Sequence, residues 1–202
     1  MKRAFDSVVA LVGLVATSPF VLVAAALVKL ESRGPAFYRG IRVGRDGRPF
    51  HVFKLRTMRE GADQQGPAVT GTGDPRVTSV GRVLRRTKLD ELPQLMNVLR
   101  GEMSLVGPRP EHPDFVKGYS QEQRQVLSVR PGITSPTSLA FIDEEDLLEG
   151  GDSVDRYVKE VMPQKLALDL QYMRTATFAG DLEILGKTIW RVLGRQVGRR
   201  AR

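Results

Sequence analysis

The 202-residue chain contains no cysteine and only two histidines, His51 and His112. The first absence excludes a disulfide framework, a thiol nucleophile and any thiolate metal site, and it leaves the redox compartment unmarked. The scarcity of histidine leaves little room for a His-rich metal centre or a Ser-His-Asp arrangement. No P-loop or dinucleotide glycine fingerprint is present, and there is no internal repeat or low-complexity linker. Carboxylates, lysines and arginines must therefore carry any chemistry. Acids are the scarcer charge, 23 against 31 bases, for a net +8. That balance suits nucleic acid, anionic headgroups or nucleotide phosphates without choosing among them. The length allows one domain with a core, plus a membrane element.

Charge is also missing locally. Ser7 to Val28 carries none. Met1-Lys2-Arg3 followed by Val8 to Val15 partly fits a secretory signal. The apolar run, however, continues through Phe20-Val21-Leu22-Val23 to Val28 with no clear small-x-small cleavage site. As a straight helix the run would just cross roughly 30 Å of hydrocarbon. Pro19 removes a backbone donor and Ser18 can bond local carbonyls, so a break at Ser18-Pro19 is expected. Lys2 and Arg3 precede the run and Lys29, Arg33 and Arg39 follow it, which favours both ends on the cytoplasmic side. The expectation is a reentrant helix over residues 1–33, followed by a cytoplasmic domain over 34–202. A single-pass helix that tolerates its proline is the alternative.

Phe37, Ile41 and Val43, a Gly44-Arg45-Asp46-Gly47 turn, then Phe50, Val52, Phe53 and Leu55 read as a short hairpin. Its second strand carries Lys54 and Arg56, with Arg59 beyond; these cations form either a solvated face or a phosphate-binding one. Gly61 to Pro75 is rich in Gly, Asp, Gln, Thr and Pro and reads as a mobile loop with the length of a lid. Thr78 to Arg86 reads as a helix with Val80, Val83 and Leu84 inward and Arg82, Arg85 and Arg86 outward.

The densest signal is Thr87 to Pro110. Leu89, Leu92, Leu95, Met96 and Leu99 keep helical spacing up to a Gly101 stop. With Asp90 as N-cap, Pro93 falls in the first turn, where its missing N–H costs nothing. An aspartate there stays ionised and is either a simple cap or a nucleophile and metal ligand. Adjacent helical residues diverge by roughly 100°, so Asp90 and Glu91 should have different roles. Gly107-Pro108-Arg109-Pro110 is a stiff turn, presenting either a fixed guanidinium for phosphate or plain surface. Arg130-Pro131-Gly132-Ile133-Thr134 is a second turn of that style. The acidic run Asp143 to Asp146 reads as a solvated face. At the C-terminus Leu185, Ile189, Leu193 and Val197 form one stripe and Lys187, Arg191, Arg195 and Arg199 another. This basic amphipathic helix, with Trp190, suits either the domain or the headgroup layer.

Together these pieces resemble the monotopic phosphoglycosyl transferases, bacterial sugar transferases that begin glycoconjugate assembly on a polyprenyl phosphate. The matching residues are Lys2-Arg3-Ala4-Phe5-Asp6, Ser18-Pro19, Phe53 to Met58, Asp74 to Thr78, Gly81 to Arg85, Lys88 to Asn97, Gly101 to Pro110 and Val129 to Thr134. The resemblance covers nearly the whole chain, in the minimal catalytic form. It implies an α/β fold: a compact, mostly helical domain with a short hairpin, a reentrant membrane helix and interfacial amphipathic helices at the cytoplasmic face of the bacterial inner membrane. The implied reaction transfers a sugar phosphate from a UDP-sugar to undecaprenyl phosphate, releases UMP and requires Mg²⁺. By motif position Asp90 is the nucleophile and a metal ligand, and Glu91 orients the metal or helps activate the acceptor. Lys54, Arg85 and Arg109 would neutralise phosphates, and Asp169 and Asp181 fall where the family also carries acids. The implied partners are the UDP-sugar, undecaprenyl phosphate and membrane lipids, with no nucleic acid; a homodimer is left open. Where many relatives continue after Ile133-Thr134 with Gly, an aromatic and Ala-Gln, this chain has Ser135 to Phe141, a departure expected near the sugar. The rival reading is a non-catalytic basic membrane module for nucleic acid or anionic lipid. Against it, the sequence lacks aromatic-interleaved basic patches and any helix-turn-helix signal.

Overall fold

The computed structural model describes residues 1–67, 69–148 and 153–198. It opens with one helix, α1 (Lys2–Glu31), that continues through Pro19 rather than ending at Ser18. The physical reason lies in the neighbouring hydroxyls. Pro19 cannot donate to the carbonyl four residues back, that of Val15, and the Ser18 hydroxyl donates to that carbonyl instead at 2.8 Å. The Thr17 hydroxyl also donates to a helix carbonyl, that of Gly13, at 2.7 Å. At 30 residues α1 is the one described helix long and apolar enough to cross a membrane.

Both ends of α1 are nevertheless held by the same domain. Near its start, the Arg3 guanidinium donates to the carbonyls of Val98 and Leu99, and Ser104 donates to Asp6 at 2.7 Å. Near its end, Glu31 accepts the backbone N–H groups of Ser79 and Val80 at 2.7 and 3.0 Å, and Arg56 donates to the carbonyls of Ser32 and Arg33. Arg56 is buried by this role, so the hairpin's cations are not one solvated face. Small residues let α1 lie close: Ala10 is fully buried in one core cluster with Val52, Val98 and Met103, while Ala24, Ala25 and Val28 join Leu55 and Leu84 in another. The opposite side of α1 exposes Val8, Val12, Val15, Phe20, Leu22 and Val23.

The hairpin forms as expected from β1 (Phe37–Val43) and β2 (Pro49–Leu55), antiparallel with Phe37 opposite Leu55 and Val43 opposite Pro49. Asp46 and Gly47 adopt positive φ in the turn, which Asp and Gly tolerate best. The described residues of the 61–75 segment form no helix or strand, and the segment is tied to Arg76, whose guanidinium pairs with Asp74 and donates to the carbonyls of Ala62 and Pro67. Helix α2 (Ser79–Thr87) is capped by Thr78, which accepts the Gly81 N–H at 3.0 Å. A Cβ on Gly81 would sit 2.0 Å from the Thr57 carbonyl, so only glycine lets α2 pack flush on the chain leaving β2. Two facing assignments change: Val83 is exposed, and Arg85 turns inward, its side chain only 20% exposed.

A 3₁₀ segment, Leu89–Gln94, precedes α3 (Leu95–Arg100), which ends at Gly101 with φ 82°. Strand β3 (Ser104–Val106) is followed by α4 (Pro113–Lys117), and β4 (Gly132–Thr134) pairs with β3 in parallel, Ser104 opposite Gly132. That pairing joins the two proline turns read separately in the sequence. Gly107 donates to the Thr134 carbonyl and Gly132 to the Pro108 carbonyl, at 3.0 and 2.8 Å. A Cβ on Gly132 would fall 2.1 Å from the Gly107 nitrogen, which excludes a side chain at this crossing.

Helices α5 (Pro136–Ala140), α6 (Glu144–Leu147) and α7 (Ser153–Arg156) follow, then a π-helical turn at Tyr157–Val161, α8 (Met162–Thr175) and α9 (Phe178–Gly198). A third core cluster gathers Val116, Tyr119, Val126, Leu148, Tyr157 and Leu166. The fold is thus mostly helical with a short hairpin. The C-terminal stripe divides: Leu185 packs on the core, whereas Ile189 and Trp190 are exposed. The side chains of Leu193, Arg195 and Val197, and Arg199 altogether, lie outside the described residues.

Candidate active site

The segment from Lys88 to Gln94 organises the site. Lys88 occupies the left-handed region with φ 57°, a strained position for a non-glycine residue. It ends α2 and starts the 3₁₀ turn, so the N-cap is Lys88 and not Asp90. Asp90 is only 6% exposed, and its Oδ1 has no hydrogen-bond partner. Burial, reinforced by the Glu91 charge, pushes its carboxyl up from 3.8 to about 6, while Lys54, Lys88 and Arg85 pull the other way. The ionisation is therefore less secure than a capping role would make it.

Glu91 is the opposite case. Its Oε1 accepts from Arg109 Nη2 at 2.7 Å and from Lys54 Nζ at 3.1 Å. Despite burial, the Arg109 and Lys54 cations hold its carboxyl well below the usual carboxylate range. Reciprocally, the Glu91 carboxylate raises Arg109 further, whereas burial lowers Lys54 against the pull of Glu91. β2 supplies Lys54 and the Gly-Pro-Arg-Pro turn supplies Arg109, so one carboxylate holds two cations from separate elements. Arg85 arrives from α2, with Nε donating to Thr57 Oγ1 and Nη1 to Glu145, both at 2.9 Å.

The structure thus brings Asp90 and Glu91 within electrostatic reach of each other and of Lys54 and Lys88, with Arg85 acting on Asp90 and Arg109 on Glu91. Asp169 stands one layer behind. It accepts from the Arg109 backbone N–H and from Thr137 Oγ1, the latter at 2.5 Å, and so supports the arginine turn. Asp181 sits elsewhere, buried and bonded to Lys2 and to the Tyr172 hydroxyl, at the foot of α1.

Two supporting residues, Asn97 and Lys165, were given no role in the sequence. Asn97, fully buried, accepts the Phe53 N–H at 3.0 Å and donates to the His51 carbonyl at 2.7 Å, acting as a strand partner for β2 next to Lys54. Lys165 reaches Glu144 at 2.8 Å and the Tyr157 hydroxyl at 3.2 Å, and that hydroxyl in turn donates to Glu111. Nothing in the local pattern of α8 marks Lys165, because its partners come from across the fold.

Chemically, the arrangement is a buried carboxylate oxygen with free lone pairs, set among cations that are fixed before any ligand arrives. Fixed guanidinium and ammonium groups suit an anionic phosphate group, and an unpartnered carboxylate oxygen suits attack on phosphorus or a bond to a hard cation. Among the described residues no group of three or more His, Asp or Glu gathers as a metal cage. Mg²⁺ commonly takes only one or two protein carboxylates and completes its shell with substrate phosphates and water. The free Asp90 oxygen fits that donor set, whereas the Glu91 carboxylate is already committed to Arg109 and Lys54.

Residues 1–195 match the model of a family described as bacterial sugar transferase. The UDP-glucose:undecaprenyl-phosphate glucose-1-phosphate transferase of Caulobacter vibrioides is 42% identical over 191 residues, covering 93% of this chain and 68% of the relative. The UDP-N-acetylgalactosamine-undecaprenyl-phosphate N-acetylgalactosaminephosphotransferase of Aeromonas hydrophila is 43% identical over 96% of this chain, which spans 44% of that relative. The exopolysaccharide production protein PSS of Rhizobium leguminosarum bv. phaseoli is 37% identical over 98% of both chains.

Proposed function

The chain belongs to the bacterial sugar transferase family and is a phosphoglycosyl transferase, and from that premise we propose that it moves a sugar phosphate from a UDP-sugar to undecaprenyl phosphate through a covalent intermediate on Asp90. The observation that carries this reading is the division of labour in the dyad: Glu91 is consumed by Arg109 and Lys54, while Asp90 keeps a buried oxygen without a partner. Asp90 attacks the sugar-linked phosphorus, the bond from that phosphorus to the bridging oxygen breaks, and UMP leaves with that oxygen. An oxygen of undecaprenyl phosphate then attacks the same phosphorus, the bond to Asp90 breaks, and the carboxylate is regenerated. Lys54, Arg85 and Arg109 hold the phosphate oxygens as charge redistributes between the entering and leaving groups. Glu91 fixes two of those three cations. Mg²⁺, held by Asp90, would neutralise diphosphate charge; every other role falls to the chain's own side chains.

We infer further that α1 is reentrant, with its exposed apolar face in one leaflet and α9 at the interface, the catalytic domain lying on the cytoplasmic face. Two observations support this: both ends of α1 are tied to one domain, and Ile189 and Trp190 are exposed on α9. Single cysteines replacing Lys2 and Arg33 should be labelled from the cytoplasmic side alone, and labelling from opposite sides would establish a spanning helix instead.

The reaction is tested by UMP release from nanodisc-embedded protein with Mg²⁺, undecaprenyl phosphate and a panel of UDP-sugars. UMP is expected with at least one sugar, and Asp90→Asn should lower its release by on the order of 10³-fold or more while the protein stays folded. Full activity in Asp90→Asn would remove the covalent mechanism.

A further inference from the structure

Each of the three cations assigned to phosphate is paired with a carboxylate in this structure, and the pairs are not alike. Lys54 and Arg109 share Glu91, whose side chain is 13% exposed and which belongs to the same turn as Asp90. Arg85 is held from outside that turn. Its partner Glu145 lies on the four-residue helix α6, sixty positions along the chain, with its own side chain 48% exposed. The acidic run that reads in sequence as a solvated face is therefore engaged: Glu144 binds Lys165, Glu145 binds Arg85 and Asp146 accepts from Thr72 Oγ1 at 2.6 Å.

The geometry at Arg85 separates holding from occupying. Its Nε donates to Thr57 Oγ1, a contact independent of α6 that sets the plane of the guanidinium. Its Nη1 donates to Glu145 Oε1 at 2.9 Å. A carboxylate against a guanidinium offers the same paired oxygens and the same charge sign that a phosphate would. The two anions cannot use one N–H together, and a half-exposed ion pair on a short helix is the weaker competitor.

We propose that Glu145 is an internal anion that occupies Arg85 when no donor is bound and is displaced by the donor's diphosphate, so that this side chain sets donor affinity. The proposal rests on the reading of Arg85 as a donor-phosphate contact. It also gives the 61–75 segment a connection to substrate binding. Thr72 donates its backbone N–H to the Glu145 carbonyl at 3.0 Å and its hydroxyl to Asp146, so α6 and that segment are joined where the anion is exchanged.

The test measures UDP binding by calorimetry to nanodisc-embedded protein without acceptor lipid, which reads the diphosphate contact without turnover. Glu145→Gln keeps the size of a half-exposed side chain and should bind UDP roughly two- to five-fold more tightly than the parent, the range set by a partly exposed ion pair. In an Arg85→Ala background the same change should leave UDP affinity unaltered. Equal affinities in parent and Glu145→Gln, weaker binding by Glu145→Gln, or a gain that persists without Arg85 would each overturn the proposal. Failure of both proteins to bind UDP would instead remove the donor reading of Arg85, and the proposal with it.

Discussion

The foot of α1 and the dyad are both places where charge is buried, and they treat it differently. At the foot of α1 the charged groups meet partners that use them up: Asp6 takes the Ser104 hydroxyl, Arg3 caps the last carbonyls of α3, and Asp181 receives Lys2 and Tyr172. At the dyad the pairing is uneven, with two cations on Glu91 and an unpartnered oxygen on its neighbour Asp90. A buried polar atom without a partner costs stability, and the charged groups at the foot of α1 avoid one, although Ser32 Oγ and Arg56 Nε at the far end of the helix do not. An arrangement that performs chemistry keeps one, because a nucleophile with every lone pair engaged has nothing to attack with. Between the foot of α1 and the dyad, then, the same residue types differ in how completely they are satisfied.

The sharpest way to break this comparison is to reverse the fortunes of the two dyad carboxylates. Glu91→Gln removes the charge that holds Lys54 and Arg109 and leaves two half-buried cations facing each other. It should lower UMP release by roughly 10²-fold or more and cost about 2 kcal/mol of folding stability, less than a fully buried pair because both cations retain some solvent contact. Asp90→Asn removes a charge that burial and Glu91 both oppose, so it should leave the unfolding temperature unchanged or raised. Thermal unfolding of the two variants in matched nanodiscs reads the difference. A loss of stability in Asp90→Asn equal to that in Glu91→Gln would mean that the dyad acts as one structural unit.

Part of the fold was legible in the sequence, whereas the pairing of Asp181 with Lys2 and the burial of Asp90 were not, and what was missed has a physical cause. The hairpin, the helix read over Thr78 to Arg86, the helix ending at Gly101 and the two proline turns follow from local chemistry, because turn residues and helical spacing act within a few residues. The side-by-side pairing of the proline turns does not, since β3 and β4 lie 26 or more positions apart and meet only through the fold. Arg85 read as outward because helical periodicity marks apolar faces and says nothing about a cation drawn inward by Thr57 and Glu145. The continuity of α1 through Pro19 turned on one hydroxyl, Ser18, taking over the orphaned carbonyl, where the general effect of proline predicts a break.

A second effect, on stability alone, separates the support behind Arg109 from the dyad itself. Burial pushes the Asp169 carboxyl up from 3.8 to about 6, against the hydrogen bonds from Thr137 and the Arg109 backbone. Because the folded value is the higher one, folding favours the protonated acid: its contribution is fully present below 3.8 and is lost as pH rises through about 6. The rise corresponds to at most about 3 kcal/mol. Asp169→Asn cannot titrate, so between pH 4 and 7 the stability of the parent should fall relative to the variant by up to that amount. Unfolding both proteins at three pH values across the window measures it. A constant gap would show that the hydrogen bonds fully compensate the buried charge.

The smallest expected effect tests the attachment side of the comparison alone. Asp181→Asn deletes the charge received by Lys2 and weakens the acceptor for Tyr172 at the foot of α1. The Lys2 side chain is 42% exposed and can turn to solvent once its partner is neutral, so the expected loss is about 1 kcal/mol rather than the several that a stranded interior cation would cost. Turnover of the folded fraction should stay within about two-fold of the parent, because no contact of Asp181 reaches Asp90, Glu91 or their cations. Lys2 does, however, also donate to the Val106 carbonyl, one residue before the Gly-Pro-Arg-Pro turn. If Asp181→Asn lowers the turnover number strongly while the unfolding temperature holds, attachment and reaction are mechanically joined through Val106, and the apolar helix α1 is part of what positions Arg109.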